Sequence, residues 1–172
     1  MSGKETTKLK GSQVLLSGFI PEVKEVAPDF TFVMQDLTEK SLYDFEGLNK
    51  IILSMPSIDT GICALETKKF NEKIAAMDNV VCLVVSKDLP FAMKRFCAAE
   101  GLENVKPASD FRYGDFGKEY NVEMVNSPLK GLLARAVFVL DKDNRITYTE
   151  LVPDITNEPE YDKALAALAK LS

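Results

Sequence analysis

Two continuous apolar runs separated by a helix-period segment constrain this chain more than any other feature. Ile51-Ile52-Leu53 sits at the centre of Lys50–Met55 and is closed by Pro56, and Asn79–Ser86 contains Val80-Val81-Cys82-Leu83-Val84-Val85. Short runs without polar alternation fit strands covered on both faces, as in a parallel sheet. Between them, Ile62, Leu65, Phe70, Ile74 and Met77, with Lys and Glu interspersed, fit one face of a helix over Ile62–Met77. Parallel neighbours need a crossover of this kind, so the two strands should flank the helix.

The rest of the chain extends the alternation. Residues 1–12 read as a loose polar tail, and residues 13–172 as one domain, which suits a chain of 172 residues. Val14–Ser17 and Phe19–Pro21 read as a small strand or hairpin around Gly18, and Asp29–Gln35 as a strand. After Asp88, Pro90 suits a first helical turn and Gly101 suits the left-handed position that ends it. A short strand near Val105 and a short helix near Asp115–Tyr120 follow. Ala134–Leu140 and Arg145–Val152 form a hairpin pair about Asp141-Lys142-Asp143-Asn144, and Asn157 with Glu160 resembles a capping box for a final helix with Tyr161, Leu165, Leu168 and Leu171 inward. The expected fold class is therefore α/β, a central mixed sheet flanked by helices.

Charge and composition exclude several functions. The net charge of −5 argues against a general nucleic-acid binder and against a polybasic membrane surface. No apolar run is long enough to span a bilayer, and Met1–Ser12 has no apolar core of a signal peptide, so a cytoplasmic location is expected. The absence of histidine removes imidazole metal ligands and every Ser-His or Cys-His catalytic pair, and no cofactor or metal site is expected. Cys63, Cys82 and Cys97 include no C-x-x-C, which disfavours a zinc ribbon and a thioredoxin-type dithiol.

The segment between the first apolar strand and its helix concentrates the chemistry. Cys63 falls in the expected first helical turn, where unpaired N–H groups and the positive end of the helix dipole favour a thiolate. Converting a free thiol mostly to thiolate at neutral pH takes about 3 kcal/mol, more than a helix end typically supplies, so a cation is needed. Arg135 is the candidate, because it alone among the arginines sits inside an apolar strand pattern, Leu132-Leu133-Ala134-Arg135-Ala136-Val137-Phe138. A charge there must meet an anion. A thiolate would serve, and so would a structural carboxylate. Thr60 could bridge a thiolate and a substrate, or simply cap the helix. Pro56 could shield the sulfur, or simply terminate a strand. Cys63 and Cys97 could each be a small core hydrophobe, as Cys82 is expected to be.

Pro56-Ser57-Ile58-Asp59-Thr60-Gly61-Ile62-Cys63 resembles the P-x-x-x-T-x-x-C signature of peroxiredoxins. The wording from Ser57 to Cys63 is similar to the thiol peroxidase branch of that family, the atypical 2-Cys peroxiredoxins of bacteria. Ser86-Lys87-Asp88-Leu89-Pro90-Phe91-Ala92, Arg95-Phe96-Cys97, Pro128-Leu129-Lys130-Gly131-Leu132 and Ala134-Arg135-Ala136 are similar to it as well, and the likeness runs from Val14 to Leu168. The resemblance implies a thioredoxin-like fold with an N-terminal β-hairpin extension. It implies Cys63 as peroxidatic cysteine, Cys97 as resolving cysteine in the same chain, Thr60 and Arg135 as groups that bind and activate peroxide and thiolate, and Pro56 as a shield. It further implies hydroperoxide as substrate, with organic hydroperoxides favoured, an intramolecular Cys63–Cys97 disulfide, thioredoxin as reductant, and a homodimer.

Overall fold

A computed structural model describes residues 3–171. The chain opens with a two-stranded antiparallel hairpin, β1 (Thr6–Leu9) and β2 (Ser12–Leu15). This corrects two expectations. Part of the stretch taken as a tail is a strand, and the turn lies at Lys10-Gly11, not at Gly18. Both turn residues have positive φ, 50° and 85°, which is the backbone that a two-residue hairpin loop favours, and the Asp154 carboxylate accepts from both of their N–H groups. Gly18 is glycine for another reason: a Cβ there would lie 2.8 Å from the Asn121 side chain.

The main sheet has seven strands in the order β4-β3-β7-β6-β5-β8-β9. These are β3 (Thr31–Val33), β4 (Glu39–Ser41), β5 (Asn49–Ser54), β6 (Val80–Ser86), β7 (Lys106–Ser109), β8 (Ala136–Leu140) and β9 (Ile146–Leu151). As expected from the two apolar runs, β5 and β6 pair in parallel across a helix, α1 (Gly61–Ile74), and β7 continues the parallel set. Strand β8 pairs antiparallel with β5, and β9 antiparallel with β8.

One face of the sheet carries α1, α2 (Pro90–Glu100) and α4 (Tyr161–Ala169), which bury Phe70, Ile74, Met93, Ala164 and Leu168 against Ile51, Leu53, Val84 and Val137. The other face packs on α3 (Asp115–Glu119) and an aromatic group of Phe30, Phe116, Tyr120 and Phe138. Gly101 ends α2 with φ 66°, in the left-handed position expected of it. Helix α4 starts at Tyr161, with Glu160 as its cap, and not at Asn157. Pro159 disfavours helical backbone at the residue before it, and the Glu160 N–H is taken by the Glu150 carboxylate, so no capping box forms.

Helix α1 is turned by about one residue from its expected face. Its buried residues are Cys63, Glu66, Thr67, Phe70, Asn71 and Ile74, at the i, i+3, i+4 spacing, while Leu65 is 40% exposed. The periodicity of Ile62 and Leu65 pointed one position away because the inward stripe holds polar residues, and two of these belong to the site.

Candidate active site

The carboxyl ends of β5, β6 and β7 lie side by side, and the segments leaving them carry Pro56, Asp88 and Asp110. Because β8 runs the other way, its beginning lies at the same edge: Ala136 pairs with Ser54, the last residue of β5. Ser54 Oγ also donates to the Ala134 carbonyl at 2.8 Å. Arg135 is thus placed beside the turn that leaves β5. Alternation along the strand sends its side chain to the face of Val137 and Val139, where Cys63 is also packed.

Pro56 is buried at the end of β5. Four residues on, Thr60 caps α1, its Oγ1 accepting from the Cys63 N–H at 3.4 Å while donating to the Ser57 carbonyl at 3.1 Å. The capping role weighed for Thr60 is therefore present. Cys63 lies in the first turn, fully buried, and its carbonyl accepts from Thr67 Oγ1 at 2.8 Å. The three cysteines are free thiols.

Arg135 is only 2% exposed. Its Nε donates to the Ile155 carbonyl at 3.0 Å, and its Nη1 donates to Glu66 Oε2 at 2.6 Å. Burial works against its charge, and the nearby Cys63 sulfur and Glu66 carboxylate more than offset this, so its pKa is raised. Both partners weighed for Arg135, the Cys63 sulfur and a carboxylate, thus lie beside it. The carboxylate is the residue that sequence reasoning missed. Among the Lys and Glu interspersed along this helix, Glu66 is fully buried one turn after Cys63. The signal for it was the buried arginine itself, which needed an anion on the facing helix.

Burial pushes the Glu66 carboxyl up to about 7, with Glu150 and Glu158 adding to the rise and Arg135 opposing it. Its Oε1 has no hydrogen-bond partner among the described residues. A folded-state pKa above the unfolded value of about 4.5 means that the native state holds the extra proton between the two, so stability falls as pH rises through that window and levels off above about 7. The chain has no histidine, so no imidazole titrates there. Glu66→Gln is expected to flatten the curve: urea midpoints at pH 5 and pH 8 should differ less than in wild type, in which the Glu66 proton alone accounts for a loss on the order of 2–3 kcal/mol. Equal slopes in both proteins would show that Glu66 does not titrate there.

Cys97 is buried on α2, 6% exposed, and burial pushes its thiol up to about 11. It shares a core cluster with Cys63 and lines a narrow apolar gap with Ile58, Thr67, Met93 and Phe96. Cys82 is buried in β6, and burial first, then Glu66, drives its thiol far above the ordinary range, consistent with an inert core thiol. Among the described residues no group of acidic, cysteine or histidine side chains is placed to hold a metal, and no helix is long and apolar enough to cross a membrane.

A buried thiol at a helix start, faced by a guanidinium on a thioredoxin-like sheet, defines the class, and similarity to known proteins agrees. Residues 22–165 match the Redoxin family. Thiol peroxidases of Leptospira interrogans and Corynebacterium glutamicum are 52% and 47% identical, over 92% and 94% of this chain and 94% and 98% of theirs. A crystal structure of a peroxiredoxin-like protein from Aquifex aeolicus superposes with a TM-score of 0.93 at 46% identity, over 97% of both chains. The chain belongs to the Redoxin family, in its peroxiredoxin branch. Within that branch it groups with the thiol peroxidases and is an antioxidant enzyme, a thiol-dependent peroxidase.

Proposed function

We propose that the enzyme reduces hydrogen peroxide and alkyl hydroperoxides at Cys63 and is recycled through a Cys63–Cys97 disulfide by thioredoxin. The observation that carries this reading is the placement of Cys63 at the start of α1 with the Arg135 guanidinium buried on the same face of the sheet. The Cys63 thiolate attacks the terminal oxygen of the hydroperoxide. The O–O bond breaks, an alcohol or water leaves after taking a proton, and Cys63 becomes a sulfenic acid. Arg135 donors and first-turn N–H groups stabilise the charge that develops on the peroxide oxygens. Thr60 orients the peroxide through its hydroxyl, and Pro56 keeps water from the sulfur.

The Cys97 thiolate then attacks the sulfenic sulfur, an S–S bond forms and water leaves. An external dithiol reduces the disulfide by exchange and is itself oxidised. Such a cycle needs a supply of reduced dithiol, which suits the cytoplasm. Burial holds Cys97 mostly protonated while α2 is packed, so resolution requires local opening around both cysteines. A homodimer, as the family likeness implies, fits the exposed side chains beside this edge: Phe91 and Phe111 are each 65% exposed, with Leu89 next to them.

Cys97→Ser tests the cycle. The variant should consume roughly one equivalent of hydroperoxide per chain and then stop, with thioredoxin present, leaving a Cys63 sulfenic acid that a dimedone probe labels. Continued turnover with thioredoxin would remove Cys97 from the mechanism.

A further inference from the structure

We propose that Asp88 is a positioning residue, a latch that fastens the turn carrying Cys63 to the loop that starts the Cys97 helix, and so sets how often the two come apart. The inference rests on the peroxidase reading and deepens it. Asp88 leaves β6 two residues before α2 begins. Its Oδ1 accepts from Ser57 Oγ at 2.7 Å, and its Oδ2 accepts from the Ile58 N–H at 2.9 Å and from Ser86 Oγ at 2.5 Å.

Both ends of this fastening are anchored. On the fixed side, the Asp88 carbonyl accepts from Ser109 Oγ of β7 at 2.6 Å, and the Asp88 N–H donates to Ser86 Oγ at 3.2 Å. On the reactive side, the Ser57 carbonyl accepts from both the N–H and the hydroxyl of Thr60, at 3.2 and 3.1 Å, and Thr60 in turn caps the Cys63 N–H. A short chain of hydrogen bonds therefore runs from the Asp88 carboxylate to the backbone of Cys63. Bonds to an ionised carboxylate are stronger than neutral ones. The latch closed is the packed pocket in which Cys63 meets hydroperoxide. The latch open frees the Cys63 turn to move toward Cys97.

A Cys63 sulfenic acid has two fates that this equilibrium divides. In the packed pocket a second hydroperoxide oxidises it to sulfinic acid, with release of the alcohol. In the opened state Cys97 attacks it, with release of water. Loosening the latch should favour the second fate and slow the first oxidation of Cys63.

The test uses full-length wild type, Asp88→Ala and Ser57→Ala, cycling with thioredoxin and graded tert-butyl hydroperoxide. Mass spectrometry reads the fraction of Cys63 converted to sulfinic acid per turnover. The Asp88→Ala fraction should fall about tenfold and the Ser57→Ala fraction about threefold, as the number of lost hydrogen bonds implies. Ser57→Ala keeps the Ile58 bond, so it decides the matter if Asp88→Ala does not fold. A general loss of stability would not move this partition in proportion to the bonds removed. An unchanged or increased sulfinic fraction in the folded variants overturns the latch. If wild type forms neither a Cys63 sulfenic acid nor a Cys63–Cys97 disulfide, the underlying reading fails, and the latch falls with it.

Discussion

Cys63→Ser is expected to reduce thioredoxin-driven hydroperoxide consumption to the uncatalysed background, a loss on the order of 10⁵-fold, while leaving the fold in place. The hydroxyl is close to the thiol in size, so the site between Met55, Ile58 and the start of α1 stays filled, and Thr60 still caps the helix. What disappears is the sulfur to which the proposed function assigns the peroxide oxygen. Neither Cys82 nor Cys97 can replace it, since burial holds both thiols protonated and neither lies in the first turn of a helix facing Arg135. Peroxide consumption followed with purified protein, alongside a urea midpoint near that of wild type, checks this. Residual activity above about 1% of wild type would place the chemistry elsewhere.

Arg135→Lys should lower the second-order rate of Cys63 oxidation by about 10²-fold, the scale of losing one oriented donor to a developing oxyanion. The substitution keeps the charge, so Glu66 keeps a cation nearby and the fold should survive. It does not keep the geometry. In wild type the Arg135 Nε holds the Ile155 carbonyl and Nη1 holds Glu66, which fixes the plane of the guanidinium and leaves its other N–H groups for the Cys63 sulfur and, in the proposed reaction, the peroxide. A single ammonium beside Glu66 cannot hold all of these at once. Stopped-flow measurement of Cys63 oxidation decides the matter, and a rate within about threefold of wild type would mean that charge alone suffices.

The parts of the fold that rest on a continuous pattern were legible in the sequence. The apolar runs around Ile52 and Leu83, with a helix between them, specify a parallel pair, and Gly101 marks the end of α2. The parts that rest on one contact were not. Gly18 looked like a turn because a glycine answering a close approach and a glycine answering a positive φ look the same in a sequence. Asn157 looked like a cap because the Glu150 carboxylate that takes the Glu160 N–H acts through tertiary placement, although the effect of Pro159 is local. Strand β4 is three residues, Glu39–Ser41, with no apolar alternation to announce it.

The site divides in the same way. Thr60, Cys63 and Pro56 are neighbours in the chain, so their local relation could be read directly, and the lone arginine in an apolar strand identified itself. Glu66 could not be read that way. Its meaning depends on which stripe of α1 faces the sheet, and the stripe that wins carries Cys63, Glu66 and Thr67 in place of the more apolar Ile62 and Leu65. Asp88 likewise becomes informative only when the end of β6 is seen next to the turn after β5.

The antiparallel course of β8 has a consequence for synthesis. Arg135 reaches Glu66 across 69 residues of chain, so during translation the cysteine segment emerges long before its guanidinium does. Until the ribosome has released β8 and it has docked beside β5, the turn of α1 that carries Cys63 and Glu66 has no buried guanidinium beside it. With the role proposed for Cys63, the nascent chain therefore completes its peroxide-reactive site only when folding is nearly finished.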